Sequence, residues 1–583
     1  MERTRTGPTL QYSHSKPVRN KQTSEIRPST RIRSGRDDAM DNPGAETLAA
    51  GPVRRYDAII VGAGFSGLYQ LYQLRDRLGL SVRILEAADG VGGTWYWNRY
   101  PGARCDSESH YYCYSFSREL DEEWQWTERY PEHTEIRRYL DHVADRFGLR
   151  SDIQLGTRVT GAAFDDHAGR WTITTQAGER FEARFLITAV GCLSTANVPA
   201  VAGLESFRGQ WYHTGRWPHE GVDFTGRRVG LIGTGSTGIQ AAPVIAEQAA
   251  HLTVFQRTAN YSVPARNGPL DDEFRAWVRA NAQDLRRKAQ ESSNGHPFDI
   301  PERSALEVSP QEREAIYEAA WQRGGLRFRA TFKDLLLDQA ANETASEFIR
   351  AKIRSIVKDP ETAAKLTPTD HLYATKRPPI DTNYFETFNC DNVRLVDLKA
   401  TPIESIMPEG VRTRDTTYPL DVIVFATGFD ALTGPLLALD IRGRGGQALK
   451  DVWSAGPRTY LGLQTPGFPN LFTITGPGSP AVLTNMPVAI EQHVEWITQC
   501  IAHLRDCGLS RIEATPEAAS GWVAHVNEAA EATLLPMASS SWYLGANVPG
   551  KPQVFMPYAG GMHHYRTICD RVANAGYQGF ALR

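Results

Sequence analysis

The sequence predicts an α/β fold built from two Rossmann-like domains, with a helical insertion in the second. An apolar strand, a Gly-x-Gly-x-x-Gly loop and an apolar helix follow one another from residue 56 to residue 78. The same order of strand, loop and helix returns between residues 228 and 250. A Gly-x-Gly-x-x-Gly loop is a specific signal when it lies between a strand and a helix, so both units are predicted to bind a dinucleotide.

Composition is ordinary for a globular protein of several domains. The 583 residues include 41% hydrophobic and 22% charged side chains, and the net charge is −3. This charge argues against a nucleic-acid partner, and no apolar run approaches the roughly 20 residues of a membrane helix. The seven cysteines are scattered without a Cys-x-x-Cys pair, so neither a metal site nor a redox disulfide is expected. A reducing cytoplasm is the predicted compartment.

Residues 1–52 are rich in Arg, Ser, Thr and Pro and poor in large apolar residues. Such a segment cannot offset the entropy of ordering, so we expect a disordered N-terminal extension. No apolar stretch follows its arginines, and an export or transit signal is therefore not expected.

The first unit is suited to FAD. After the strand Tyr56–Val61, Gly62 permits a tight turn and Gly64 lets a pyrophosphate approach the backbone. Gly67 lets the helix pack close to the strand, and the helix N-terminus offers donors to the phosphates. Glu86 ends the next strand, where its carboxylate can hold a ribose hydroxyl.

An aromatic loop, Gly93–Asp106, follows with the sequence GTWYWNRYPGARCD. Its pattern is neither that of a helix nor that of a strand, and Pro101-Gly102 forces a turn. Because aromatic rings are costly to leave in water, the loop is expected to pack beside the flat isoalloxazine ring.

The second unit is suited to NADP. Its loop carries Gly233, Gly235 and Gly238, and the residue that closes its second strand is Arg257 rather than an acid. An acid would repel a 2′-phosphate, whereas an arginine pairs with it.

The remaining chain completes these two domains. Residues 153–190 resemble a β meander, and the strand Tyr418–Phe425 is interpreted as the return into the flavin domain. The predicted helices of the insertion are Leu270–Glu291, Ser309–Trp321, Leu326–Asp338, Ala345–Lys358 and Glu361–Leu366. The predicted domains are FAD-binding at 53–190 and 421–583, NADP-binding at 191–263 and 373–420, and the helical insertion at 264–372.

Two dinucleotide sites on one chain imply hydride transfer from NADPH to flavin. A disulfide reductase would need a cysteine pair, and a simple oxidase would need no second site. A monooxygenase needs a cation near the developing anion, and the candidates are Arg99, Arg104, Lys376 and Arg377. Asp106 is a potential partner of Arg377, although such a pair could equally be a structural salt bridge.

Long motifs then resemble those of type I Baeyer–Villiger monooxygenases. Between the two glycine loops the chain reads Phe207-x-Gly-x-x-x-His213-x-x-x-Trp217-Pro218. The aromatic loop Gly93–Asp106 is similar to a second motif of that family, in its phenylacetone and steroid monooxygenase branch. The resemblance covers about residues 52–583.

The resemblance implies a ketone substrate, O₂, FAD and NADPH, and an ester or lactone product formed through a C4a-peroxyflavin that Arg377 stabilises. Arg377 would be catalytic with Asp106 beside it, Arg257 and Lys376 would hold the 2′-phosphate, and Trp542 would contact nicotinamide ribose and substrate. His213 would belong to a linker that couples domain rotation to cofactor movement. The loop 478–487, with Leu483 and Met486, would wall the substrate pocket. The branch implies bulky cyclic, polycyclic, steroid-like, terpenoid or aryl ketones.

The candidate cofactor-binding residues are Gly62, Gly64, Phe65, Ser66, Gly67, Glu86, Thr94, Trp95, Asp106, Tyr112, Gly233, Thr234, Gly235, Ser236, Thr237, Gly238, Arg257, Thr258, Lys376, Arg377 and Trp542. No metal ligand is predicted, and the chain is expected to be a monomer or weak homo-oligomer. An N- or S-oxygenating flavin monooxygenase and a non-catalytic flavoprotein that senses redox state are the alternatives.

Overall fold

The computed structural model describes residues 53–583, so the prediction of disorder for 1–52 lies outside the described residues. Strands and helices alternate through this part of the chain. The strands are β1 Arg54–Val61, β2 Val82–Leu85, β3 Ile153–Gln154, β4 Val159–Asp165, β5 Arg170–Thr175, β6 Arg180–Thr188, β7 Gln210–His213, β8 Arg228–Ile232, β9 His251–Gln256, β10 Val263–Pro264, β11 Ile380–Asp381, β12 Val393–Asp397, β13 Ile403–Met407, β14 Gly410–Thr413, β15 Thr417–Pro419, β16 Val422–Phe425, β17 Asp440–Arg442, β18 Leu471–Thr473, β19 Ile512–Ala514 and β20 Phe580–Leu582.

The helices are α1 Phe65–Tyr72, α2 Thr94–Trp97, α3 Arg118–Glu123, α4 His133–Arg146, α5 Ser236–Ala246, α6 Asp272–Ala280, α7 Ala282–Glu291, α8 Pro310–Arg323, α9 Gln339–Ile356, α10 Pro360–Leu366, α11 Tyr384–Thr387, α12 Gly434–Leu437, α13 Leu449–Val452, α14 Met486–Asp506, α15 Pro516–Glu531 and α16 Met562–Asn574. The aromatic loop Gly93–Asp106 therefore contains one helical turn, α2, which its pattern did not predict. Gly92 and Gly93 both have positive φ (132° and 53°) and turn the chain into this helix.

The two predicted Rossmann-like sheets are present. The first has the order β17-β4-β5-β6-β1-β2-β3, with β18 pairing in parallel with β6. Strands β1, β2, β3 and β6 run parallel, and β4, β5 and β6 form the expected antiparallel meander. The second sheet, β12-β9-β8-β16-β7, is parallel throughout. The central strands β1 and β8 are apolar on both sides because each contributes residues to two hydrophobic clusters.

The interpretation of Tyr418–Phe425 as the return into the flavin domain is wrong. The strand β16 forms here, but it pairs with β8 and β7 of the second sheet. The chain rejoins the first sheet later, through β17 beside β4 and β18 beside β6. An apolar strand followed by a glycine turn fits either sheet, so hydrogen-bond partners alone decided its membership.

The helical insertion is divided between two cores, which corrects its assignment to the NADP domain alone. Leu270 and Ala289, from the segment of α6 and α7, are buried in the core of the first domain. Tyr317 of α8 and Phe348 of α9 are buried in the core of the second. The helix predicted over Leu326–Asp338 is only a short 3₁₀ turn, Leu326–Ala330.

Candidate active site

The first glycine loop has the geometry of a phosphate cradle. Gly62 has a φ of 105°, and a Cβ at Gly67 would lie 1.9 Å from the Gly62 carbonyl oxygen. A Cβ at Gly64 would lie 3.3 Å from the Gly93 Cα, where the aromatic loop crosses the glycine loop. Helix α1 carries no acid in its first turn, so its N-terminus remains open to an anion.

Glu86 is held in place by the same loop. Its carboxylate accepts hydrogen bonds from the backbone N–H groups of Ala63, at 2.6 Å, and Ala88, at 2.8 Å. The side chain is buried, and this burial raises the pKa of Glu86 despite those bonds. A carboxylate that accepts two backbone hydrogen bonds still has free lone pairs, which can accept hydrogen bonds from the hydroxyl groups of a ribose.

The second glycine loop repeats this geometry beside β8. Gly233 has a φ of 114°, and a Cβ at Gly238 would lie 2.1 Å from the Gly233 carbonyl oxygen. A Cβ at Gly235 would meet no atom within 4 Å, because this glycine faces open space at the start of α5. Thr234 donates from Oγ1 to the Thr258 carbonyl, at 2.8 Å, which fixes the loop against the segment after β9.

Three basic side chains, Arg257, Lys376 and Lys399, lie near one another at the end of β9. Burial lowers the pKa of Lys376, and Arg257 and Lys399 lower it further while Asp370 raises it. The Lys376 ammonium donates to the Ser540 hydroxyl at 2.7 Å. A cluster of positive charge at this point matches the site expected for a 2′-phosphate.

Arg377 and Asp106 form a two-pronged ion pair. The Arg377 Nη2 lies 2.7 Å from Asp106 Oδ1 and its Nε lies 2.9 Å from Oδ2, while Nη1 donates to the Val482 carbonyl at 3.1 Å. Burial disfavours the charge of Arg377, but the carboxylate outweighs burial and its pKa is raised. The guanidinium is therefore permanently charged and fixed in orientation.

The other candidate cations are engaged elsewhere. Arg104 pairs with Glu128 at 3.0 Å and with Glu132 at 3.1 Å. Arg99 donates to the Tyr96 carbonyl at 3.0 Å and lies over the Tyr96 ring.

A single cavity of about 1720 Å³ joins both glycine loops to this ion pair. This volume exceeds the roughly 300–1,000 Å³ of a pocket for one small ligand, so the cavity is large enough for more than one such ligand. The candidate cofactor residues line it except Gly67 and Gly238, which instead permit close packing of helix on strand. The residues present therefore fit the two expected cofactors.

The aromatic loop and the C-terminal segment close this cavity. Trp95 lies edge-on to Tyr112, with ring centroids 5.8 Å apart, and its Nε1 donates to the Tyr112 hydroxyl at 3.2 Å. Trp542, Val482 and Met486 line the cavity. Leu483, which was expected in the pocket wall, packs instead beside a small apolar cluster around Tyr543.

His213 is buried next to the cavity rather than in its lining. Its Nδ1 accepts from the Gly215 backbone N–H at 3.0 Å. Burial, and then Arg216, lowers the pKa of His213 to about 4, so its ring is neutral near pH 7. This environment does not favour proton transfer at His213.

Several lining residues had no signal in the sequence. Thr157, Arg158 and Gln176 come from the meander of the first sheet, and Asn197 and Asn547 come from segments far apart in the chain. Only the folded sheet brings them to the cavity. Residues 53–583 contain no group of side chains arranged to hold a metal ion, and none of their helices has the length and apolarity to cross a membrane.

Known proteins are similar to the chain over most of its length. The family described as flavin-binding monooxygenase-like matches residues 56–267. A Baeyer-Villiger monooxygenase of Pseudooceanicola batsensis is 46% identical over 90% of this chain and 95% of its own. A phenazine N-monooxygenase of Lysobacter antibioticus is also 46% identical, over 90% of this chain and 97% of its own.

Among solved structures, an oxidised steroid monooxygenase bound to NADP is 55% identical with a TM-score of 0.86. The match covers 91% of this chain and 99% of that one. This likeness confirms the predicted fold, and these proteins agree with the prediction of FAD and NADPH as cofactors. The glycine loops, the fixed arginine and the extent of these matches lead to one conclusion: the chain belongs to the Baeyer–Villiger monooxygenase family of flavin-binding monooxygenases.

Proposed function

We propose that the protein uses NADPH and O₂ to convert a bulky cyclic or polycyclic ketone into an ester or lactone. One oxygen atom enters the product beside the carbonyl carbon and the other leaves as water, while NADPH becomes NADP⁺. The observation that carries the proposal is the half-buried charge of Arg377, which Asp106 holds in a fixed orientation in a cavity shared by both dinucleotide loops.

The two loops divide the cofactors between them. In this proposal Gly62, Gly64 and Glu86 hold the FAD pyrophosphate and ribose, and Arg257 and Lys376 hold the 2′-phosphate of NADPH. When bound, FAD would accept hydride from NADPH and activate O₂.

Arg377 acts by electrostatics. Negative charge develops on oxygen when a ketone carbonyl is attacked, and a cation that is already oriented stabilises it without reorganisation. Asp106 keeps the guanidinium in that orientation, and the Val482 carbonyl holds its other edge. Trp542 and Met486 form the apolar wall against which the ketone packs and from which water is excluded.

The size of the substrate is inferred from similarity and from the cavity. The steroid monooxygenase is 55% identical over nearly its full length, and its name indicates a steroid substrate, which is a polycyclic molecule. The cavity of about 1720 Å³ is larger than a pocket for one small ligand, which agrees with a bulky substrate beside the cofactors.

N-oxygenation is the second candidate, because the phenazine N-monooxygenase is as similar in sequence as the Baeyer-Villiger relative. The experiment that separates the two is turnover with NADPH under ¹⁸O₂ on a panel of ketones, sulfides, amines and a phenazine. We expect one labelled oxygen in an ester or lactone. Labelled N-oxide as the sole product would replace the proposed function with N-oxygenation.

A further inference from the structure

Thr475 has a backbone conformation that is rare for a β-branched residue. Its φ is 54°, in the left-handed region that L-residues with a branched Cβ seldom adopt. The residue is buried, and it lines the large cavity. Such a conformation persists only where the surrounding contacts enforce it, and residues of this kind are concentrated at functional sites. The contacts that hold Thr475 therefore bear on the function of the cavity.

Thr475 lies at the edge of the first sheet where a ligand is expected. It follows β18, and the preceding Ile474 donates from its backbone N–H to the Thr188 carbonyl at the end of β6, at 3.1 Å. Strands β18, β6 and β1 run parallel, so Thr475 and Gly62 are both at the carboxyl edge of this sheet. Doubly wound sheets bind their ligands beyond that edge.

Side chains, rather than neighbouring strands, engage both backbone groups of Thr475. Its N–H donates to Nδ1 of His493 at 2.8 Å. Its carbonyl accepts from Sγ of Cys192 at 3.2 Å, and Cys192 also lines the cavity. These two contacts hold the peptide groups on both sides of the left-handed residue.

The contact with Thr475 defines the tautomer of His493. Because Nδ1 accepts a hydrogen bond, it carries no proton. Burial, and then Arg566, lowers the pKa of His493 to about 3, so the ring is neutral near pH 7 and its proton is on Nε2. Nε2 donates to the Tyr565 hydroxyl oxygen at 2.9 Å, and that hydroxyl donates to the Leu461 carbonyl at 2.6 Å.

The chain of hydrogen bonds ends on a second left-handed residue. Leu461 has a φ of 57° and is fully buried. The turn that contains it packs directly on the turn after β18, since a Cβ at Gly476 would lie 2.4 Å from the Gly462 carbonyl oxygen. The hydrogen bonds therefore connect two residues of unfavourable φ on two turns in contact.

His493 also belongs to the face of α14 that lies along the cavity. Met486 and Ile490 of this helix line the cavity. His493 is one helical turn beyond Ile490 and two turns beyond Met486, so the three side chains share one face. One helix face thus provides both an apolar wall of the cavity and the acceptor that holds Thr475.

We infer that His493 is a positioning residue for the FAD side of the cavity. It holds Thr475 in the left-handed conformation, and Tyr565 fixes the tautomer of His493 that accepts from Thr475. Without this acceptor the backbone of Thr475 relaxes to a negative φ and shifts at the carboxyl edge of the first sheet. This role rests on the assignment of FAD to the first domain in the proposed function, and it does not depend on the ketone chemistry.

The test measures the affinity of the full chain for FAD, which is first removed and then titrated back in a calorimeter. His493→Phe is expected to bind FAD about tenfold to a hundredfold more weakly, because the strain at Thr475 is no longer compensated. His493→Asn should retain part of the affinity, because Oδ1 of asparagine is able to accept from the Thr475 N–H. Unchanged affinity in His493→Phe overturns the proposal.

The decisive variant combines His493→Phe with Thr475→Gly. Glycine adopts a positive φ without an enforcing contact, so the double variant should regain most of the affinity for FAD and the flavin absorbance spectrum of the wild type. Thr475→Gly alone should bind FAD about as tightly as the wild type. If His493 has a merely structural role, Thr475→Gly restores nothing in His493→Phe, and this result overturns the proposal.

Tyr565→Phe repeats the test with the loss of a single oxygen atom, in case His493→Phe does not fold. It should weaken FAD binding by about threefold to tenfold, as one hydrogen bond contributes, and Thr475→Gly should again restore it. The matched control is His503→Phe, on the same helix, where the ring packs on Tyr577 and outside the cavity. This control should leave the affinity for FAD unchanged.

The positioning role and the proposed function can fail separately. A wild-type chain that does not bind FAD contradicts the proposed function. Equal binding of FAD by the wild type, His493→Phe and Tyr565→Phe overturns the positioning role alone.

Discussion

Arg377 donates from Nε and Nη2 to both carboxylate oxygens of Asp106, although the two residues are 271 positions apart in the chain. Asp106 ends the aromatic loop of the first domain, and Arg377 follows the helical insertion. The contact therefore fixes the Arg377 guanidinium against the aromatic loop at the cavity, so the position of this cation depends on how both segments pack.

Replacement of Arg377 by alanine should abolish ester formation while FAD still binds and NADPH still reduces it. A fixed cation beside a developing oxyanion contributes about a hundredfold or more in rate, and Arg377 is the cation of the ion pair at the cavity. Product analysis and anaerobic stopped-flow reduction measure the two steps separately. Arg208→Ala, at an exposed position, is the control. Unimpaired ester formation in Arg377→Ala would exclude the proposed role.

Replacement of Arg257 by alanine should raise KM for NADPH about tenfold to a hundredfold and leave KM for NADH nearly unchanged. The reason is that only NADPH carries the 2′-phosphate with which a guanidinium forms charge-assisted hydrogen bonds. The measurement is the ratio of kcat/KM for the two coenzymes. If the variant keeps the full preference of the wild type for NADPH, Arg257 does not bind the phosphate.

Replacement of Gly67 by alanine should yield a protein that loses FAD. The new Cβ would lie 1.9 Å from the Gly62 carbonyl oxygen and would push α1 away from β1 at the phosphate cradle. Flavin absorbance per chain after purification measures the loss. Gly521→Ala is the matched control: it lies in α15, its Cβ meets no atom within 4 Å, and it should stabilise the helix by roughly 0.5–1 kcal/mol. Retention of a full complement of FAD in Gly67→Ala would refute the packing argument.

Replacement of Glu491 by glutamine should stabilise the protein more at pH 8 than at pH 5. Burial raises the pKa of Glu491 to about 7, although it accepts hydrogen bonds from Ser115. Because this pKa is higher in the folded state than in the unfolded state, the free energy of unfolding falls as pH rises from about 4.5 through about 7. The total decrease is up to about 3 kcal/mol. Glutamine has no charge to bury, so the difference in melting temperature between variant and wild type should grow across this range.

The control for that experiment is Glu528→Gln, an exposed position of α15, which should leave the melting temperature unchanged at both pH values. A constant difference between Glu491→Gln and the wild type from pH 5 to pH 8 would show that Glu491 does not titrate in this range.

Local sequence was sufficient for the two dinucleotide units. The positions of four glycines were predictable because each is required by its own strand–turn–helix unit. Gly62 and Gly233 have a positive φ, and Gly67 and Gly238 allow the helix to contact the preceding turn closely. Glu86 and Arg257 directly follow the second strand of their units, as the sequence indicated, whereas their roles in cofactor binding stay predictions.

Tertiary structure alone decided the features that depend on partners distant in the chain. The membership of β16 in the second sheet, the division of the insertion between two cores and the commitment of Arg104 to Glu128 all follow from such contacts. Lys376 and Arg377 make the point most directly: they are neighbours in sequence, yet one donates to Ser540 and the other to Asp106. Periodicity and composition describe what a residue can bind, whereas packing determines which partner lies within reach.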